Sequence, residues 1–221
     1  MHSAVQEALR VRGLHGVPSR CTCNDPQESR ADKLLRYANL PHGSRTFDGF
    51  TQREGTEEAL QAARAFAQGD GSHILVLVGG VGSGKTFLLE AIGREVLARN
   101  GLVKYQYVPT LLEEIRQTYH DDSGESALEV MEAYRRSPVL LLDDLGAENP
   151  TPWVAEQVTT LVDERYRAGG RLAVATNLTY GDVDRLYGPR LASRLWDAAT
   201  GLVRNVTMTC PDFRTGQVPA R

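Results

Sequence analysis

Two hydrophobic patterns alternate along this chain. Short unbroken runs of branched aliphatic residues, Ile74–Val78 and Val139–Leu142, are separated by longer stretches in which apolar residues recur every three or four positions. The unbroken runs predict strands buried on both faces, and the 3.6-residue recurrence predicts amphipathic helices. Leu60, Ala63, Phe66 and Ala67 mark such a helix over Glu57–Gln68, closed by Gly69-Asp70-Gly71. Further strands are expected at Val103–Val108, Leu172–Thr176 and Leu202–Met208. Helices are expected at Phe87–Arg99, Thr110–Tyr119, Ala127–Arg135 and Pro152–Ala168, with short ones at Asp182–Leu186 and Arg190–Asp197. A polar link, Asp121–Glu125, divides the pair that follows the second strand. Toward the N-terminus, Met1–Val11 and Ala31–Ala38 read as short helices around a break at Gly13–Pro18 and a polar loop at Cys21–Ser29. Strands alternating with helices predict βαβ units, hence an α/β fold with a central parallel five-stranded sheet between helical layers.

Composition changes this picture little. The chain has 221 residues, is 41% hydrophobic and 24% charged, and carries a formal charge of −3. That charge does not advertise nucleic-acid binding, although a local basic groove is compatible with it. Neither aliphatic run approaches the roughly 20 residues that span a bilayer, so no membrane partner is expected. No secretory signal is visible, and three cysteines, an odd number, make a reducing cytoplasm the expected location.

The chemistry concentrates after the first buried strand. Gly79-Gly80-Val81-Gly82-Ser83-Gly84-Lys85-Thr86 fits G-x-x-x-x-G-K-[ST], with a strand before it and a helix after it. Glycines let successive backbone N–H groups curl around a phosphate, and the next helix adds its dipole and free amides. Lys85 is expected to reach the β- and γ-phosphates, and Thr86 to ligate Mg²⁺. Val139–Leu142 runs into Asp143-Asp144. A carboxylate at the C-terminal end of a buried parallel strand sits in the crevice where ligands bind. Asp143 is therefore expected to hold Mg²⁺ and Asp144 to orient or deprotonate an attacking water.

Three further features each carry two readings. Asn177 ends the fourth strand at the same edge, where it either bonds the water or γ-phosphate or simply opens a turn. Arg190 and Arg194, four apart on one helical face, are either fingers for a transferring phosphoryl group or solvated surface arginines. Cys21 and Cys23 are either half of a zinc site or adventitious, since a second ligand pair is missing.

Taken in order, the phosphate loop, Leu-Leu-Leu-Asp-Asp-Leu-Gly-Ala-Glu (140–148), Ala-Thr-Asn (175–177) and Arg190-Leu-Ala-Ser-Arg194-Leu resemble the DnaC/DnaI-type helicase loaders and their IstB-like relatives. These are AAA+ ATPases of the initiator clade. The resemblance covers roughly residues 31–214. It implies a three-layer P-loop NTPase fold of AAA+ type over 46–221, preceded by a short, partner-binding segment at 1–45. It implies that Gly79–Thr86 and Phe87 bind ATP, that Asp143 and Asp144 are the Walker B acids, and that Asn177 is sensor 1. Arg190 or Arg194 would reach a neighbouring subunit's ATP. Pro211-Asp212-Phe213-Arg214 looks like the family's terminal motif, which makes Arg214 sensor-2-like. Phe47 and Phe50, in the lead-in segment, would pack near the adenine or in the core. A helical insertion at Thr110–Arg136 would either face single-stranded DNA through Arg116, Tyr119, Arg135 and Arg136 or be a solvated amphipathic helix pair.

The resemblance thus implies a DNA-replication ATPase using ATP and Mg²⁺, with a DnaB-like replicative helicase and single-stranded DNA as partners, acting as a homo-oligomer. About 30 residues precede the lead-in segment, fewer than the helicase-gripping domain of bacterial loaders, so either a reduced helicase grip or a gene start called too late is expected. An IstB-type transposition helper has the same ATPase core. A P-loop small-molecule kinase would need an acceptor pocket and an arginine-bearing lid, for which the sequence offers no clear candidate. A non-catalytic nucleotide switch would not need both Asp143 and Asp144.

Overall fold

The computed structural model describes residues 30–118, 127–148 and 151–214. The helix expected at Met1–Val11, Cys21 and Cys23, Tyr119 and the link Asp121–Glu125 lie outside the described residues.

Helix α1 (Arg30–Ala38) and a single 3-10 turn at Phe47–Gly49 precede α2 (Glu57–Gln68). Then come β1 (Ile74–Gly79), α3 (Lys85–Ala98), β2 (Val103–Tyr107), α4 (Val108–Thr118), α5 (Ala127–Arg135) and β3 (Val139–Leu145). The chain continues through α6 (Pro152–Arg167), β4 (Arg171–Thr176), α7 (Tyr180–Tyr187), α8 (Pro189–Leu195) and β5 (Val203–Met208). The five strands form one sheet in the order β2-β3-β4-β1-β5, and every neighbouring pair is parallel.

Period-two alternation divides the core into two layers. Ile74, Val76 and Val78 of β1, with Leu140 and Leu142 of β3, face α4 to α8. Leu75, Leu77 and Leu141 face α2 and α3, where Ala173 and Ala175 of β4 leave room for α3 to approach. Helices therefore cover both faces, the three-layer arrangement that buried aliphatic strands require. Ala38 of α1 and Phe47 are buried on the α3 side, so Phe47 is a core residue.

Several boundaries moved in ways that matter chemically. The third helix begins at Lys85 rather than Phe87, which places Lys85 and Thr86 in its first turn. The third strand extends through Asp143 and Asp144, with its pairing to β4 slipping between Leu142 and Leu145. Val108 opens α4 directly after β2, so no loop separates that strand from the helical insertion.

The far end of the insertion is fastened by a buried guanidinium. Arg165 of α6 donates to the carbonyls of Tyr134, Arg135, Ser137 and Arg171 at 3.3, 2.9, 2.6 and 2.5 Å. Burial lowers its pKa to about 10. These bonds satisfy carbonyls left open at the end of α5 and tie them to the β3 and β4 starts.

Candidate nucleotide site at the C-terminal sheet edge

The loop between β1 and α3 takes the curl that a phosphate cradle needs. Gly82 and Gly84 adopt φ of +70° and +100°, a region costly for residues with a Cβ. Space demands glycine at both positions too. A Cβ on Gly84 would stand 3.0 Å from the Phe50 ring, and one on Gly82 would overlap the Asp212 carboxylate at 1.7 Å. Gly84 caps α3, whose first-turn amides point into the loop.

Lys85 folds over this loop. Its Nζ donates to the Gly79 and Gly80 carbonyls, each at 2.8 Å, and to Ser83 Oγ at 3.4 Å. Burial lowers its pKa, while the charges of Asp144 and Asp143 pull the other way. A desolvated ammonium surrounded by carbonyl dipoles gains from an anion placed beside it.

The two acids at the end of β3 differ in environment. Asp143 is 3% exposed, and burial raises its pKa. Its Oδ1 accepts from Thr86 Oγ at 3.1 Å and its Oδ2 from Tyr105 Oη at 2.6 Å. Asp144 is half-buried with φ +59°, and its Oδ2 accepts a long bond from Tyr107 Oη at 3.4 Å. That left-handed turn at the slip in strand register aims two consecutive acids differently, where an ideal strand would send them to opposite faces.

The remaining predicted residues divide. The terminal motif does meet the loop: Phe213 N donates to the Gly82 carbonyl at 3.0 Å, and Cys210 Sγ lies 3.4 Å from the Ser83 carbonyl. Arg214 is exposed, its backbone N–H donating to Asp212. Phe50 meets Phe87 edge to face, 5.4 Å between centroids, beside the start of α3. Val81 is exposed on the loop, and Asn177 is exposed just past the end of β4. Beside it, Thr176 Oγ1 donates to the Leu145 carbonyl at 2.6 Å and links β4 to β3.

Arg190 and Arg194 belong to a separate cluster on α6 and α8. Both bind Asp163, at 2.6 and 2.9 Å, and Arg167 joins them at 2.9 Å. The Arg194 guanidinium also lies 4.5 Å from the Tyr166 ring centroid, and the Tyr166 hydroxyl bonds Asp197. On the insertion, Arg116 pairs weakly with Glu113, Arg135 with Glu132 and Glu164, and Arg136 with Glu132.

Sequence reasoning missed Tyr105, Tyr107 and Asp163. The first two had a partial signal: they lie two apart on one expected strand, so they share a face. Asp163 had only helical spacing to Arg167, which describes countless surface pairs. The ion pair of exposed Arg45 with buried Glu90, 2.6 Å long, was equally silent in the sequence.

A family model described as "IstB-like ATP binding protein" matches residues 23–215, most of the chain. The chain belongs to this family. It is also 38% identical over 84 residues to the replicative helicase loader DnaI of Bacillus subtilis, a match covering 38% of this chain and 26% of DnaI. Among solved structures, the DnaC helicase loader superposes with a TM-score of 0.64 at 22% identity, covering 78% of this chain and 98% of that one. A replication initiator, DnaA bound to AMPPCP and single-stranded DNA, superposes with a TM-score of 0.67 at 20% identity, covering 78% of this chain and 52% of that one. These superpositions show that the chain shares their fold. The chain spans about half or less of the length of the curated relatives it matches. Among the described residues, no helix is long and apolar enough to cross a membrane.

Proposed function

We propose that this chain binds ATP with Mg²⁺ and hydrolyses it as a helicase-loader-type ATPase of DNA replication, partnering a replicative helicase and single-stranded DNA. The observation that carries this reading is the convergence of Lys85, Thr86 and Asp143 beside a left-handed glycine loop at a helix N-terminus. Family membership supports ATP, and the likeness to the helicase loaders DnaI and DnaC and to the replication initiator DnaA supports the replication context.

The donor set fits a hard divalent cation. Thr86 Oγ and the Asp143 carboxylate are oxygen ligands 3.1 Å apart. Among the described residues no three His, Cys, Asp or Glu side chains gather into a self-contained metal site. Phosphate oxygens and waters would complete the shell, as Mg²⁺ prefers. Bound there, Mg²⁺ would neutralise charge on the β- and γ-phosphates.

The chain's own groups supply the rest. The loop amides and the start of α3 bind phosphate oxygens. Lys85 leaves the Gly79 and Gly80 carbonyls to take up the β/γ-phosphates. Asp144 accepts a proton from, or orients, the attacking water, and Asn177 at the neighbouring strand end hydrogen-bonds the same water or the γ-phosphate. Phe50 and Phe87 flank the nucleotide at the mouth of α3, and Arg214 acts as a sensor-2-like arginine. Arg190 and Arg194 act on a neighbouring subunit's nucleotide, in a homo-oligomer assembled on DNA or helicase, with a cytoplasmic location to match.

ATP turnover with and without single-stranded DNA tests this reading: DNA-responsive phosphate release supports it, and an intact chain that binds no nucleotide ends it. The matching family description keeps one second reading in view, a transposition helper with the same ATPase core. Affinity capture separates them, since a replicative helicase supports the first reading and a transposase the second.

A further inference from the structure

Asp143 is almost fully buried, yet each of its oxygens has a different hydroxyl partner. Thr86 sits on Oδ1, the side facing the phosphate loop, and Tyr105 sits on Oδ2 at 2.6 Å. We propose that Tyr105 is a positioning residue for Asp143 and sets how strongly the site takes Mg²⁺. The proposal rests on the metal role of Asp143 given above.

Three observations carry it. First, the Tyr105 ring cannot drift: it is 6% exposed and packed in the core layer under α3. Its hydroxyl is therefore a fixed point rather than a mobile donor. Second, the register sets its reach. Tyr105 pairs with Leu141 and Tyr107 with Asp143 across β2 and β3, so the Tyr105 side chain spans one strand repeat to meet the carboxylate. Third, the bond decides which oxygen is free. A carboxylate accepting a short hydroxyl bond on Oδ2 is held against rotation, which leaves Oδ1 turned to Thr86 and the cation.

Tyr107 provides an internal comparison. Its ring is 40% exposed and its bond to Asp144 is 3.4 Å, so it neither locks nor faces the metal-side oxygen. A phenylalanine at 105 keeps the ring in the core and removes only the hydroxyl.

The test is fluorescent ATP-analogue binding to the full chain, titrated with Mg²⁺ and repeated in EDTA. Tyr105→Phe is expected to raise the half-saturating Mg²⁺ concentration about tenfold, the low end for groups that orient a metal ligand. Binding in EDTA stays at the wild-type value, which a merely structural defect would not allow. Tyr107→Phe keeps the wild-type Mg²⁺ requirement. In an Asp143→Asn background, Tyr105→Phe adds nothing, because it acts through that carboxylate. An unchanged Mg²⁺ requirement in Tyr105→Phe overturns the proposal, as does an equal shift in the Asp143→Asn background. Loss of the Mg²⁺ effect in neither Asp143→Asn nor Tyr105→Phe sinks the metal role of Asp143 itself. Should Tyr105→Phe not fold, 3-fluorotyrosine at 105 keeps the ring and makes the hydroxyl a stronger donor. A shifted Mg²⁺ requirement then supports the proposal, and an unshifted one overturns it.

Discussion

Asp163 joins α6 to α8 through Arg190 and Arg194 and also pairs with Arg167 on its own helix, and replacing it with asparagine removes the one carboxylate they share. The acid is 5% exposed, whereas Arg167, Arg190 and Arg194 are 64%, 58% and 30% exposed. Exposure ranks their worth. The Arg167 and Arg190 bonds compete with water and are worth about 0.2–1 kcal/mol each. The Arg194 bond is more sheltered and is worth about 1.5–3 kcal/mol as a charge-assisted bond. Together the loss is about 2–5 kcal/mol, or about 4–20 °C in Tm for a chain of this size. Burial raises the Asp163 pKa, but hydrogen bonds from Arg190 and Arg194, with the charge of Arg167, outweigh it and hold the carboxyl below its usual range. A depressed folded pKa means stability that is present above the unfolded value, about 3.9, and lost as pH falls through the folded one. Thermal melts of wild type and Asp163→Asn are therefore expected to differ most near neutral pH, the gap starting to shrink only below about pH 4 and closing as pH falls through the depressed folded value. Equal melting at neutral pH, or a gap that does not change with acidification, would refute this account of the cluster.

Three other outcomes follow from the same geometry. Lys85→Ala is expected to weaken ATP binding at least about 100-fold, the loss of two charge-assisted bonds to phosphate, as read by equilibrium titration. Gly82→Ala places a Cβ 1.7 Å from the Asp212 carboxylate at φ +70°; its melting point drops, and adding Asp212→Ala restores only the steric share, leaving about 1–2 kcal/mol of backbone cost. Arg190→Ala and Arg194→Ala are expected to spare nucleotide binding but lower turnover in assembled preparations only; equal loss in a strictly monomeric preparation rules out action on a neighbour's ATP.

The layers of the fold were legible because strands buried on both faces must be continuously apolar, as Ile74–Val78 and Val139–Leu142 are. The phosphate loop was legible because glycine, lysine and threonine at that spacing have few other uses. Strand ends were less visible. Asp143 and Asp144 read as residues after a strand, yet they continue it, because pairing with Tyr107 and the slip toward β4 extend the ladder past the apolar run. The partners of the acids were hidden for a related reason: Tyr105 stands 38 positions before Asp143, and only the sheet order brings the two together. The same holds for the arginines, whose spacing suggested a free pair while Asp163, on another helix, holds both.

Lys85, Thr86 and Asp143 either form a working ATP·Mg²⁺ site or they do not. Phosphate release from ATP by the purified chain, measured across a Mg²⁺ titration beside Lys85→Ala, decides it. The account predicts saturable, Mg²⁺-dependent release that Lys85→Ala abolishes. An intact, folded chain that neither binds nor turns over ATP at any Mg²⁺ concentration would contradict it.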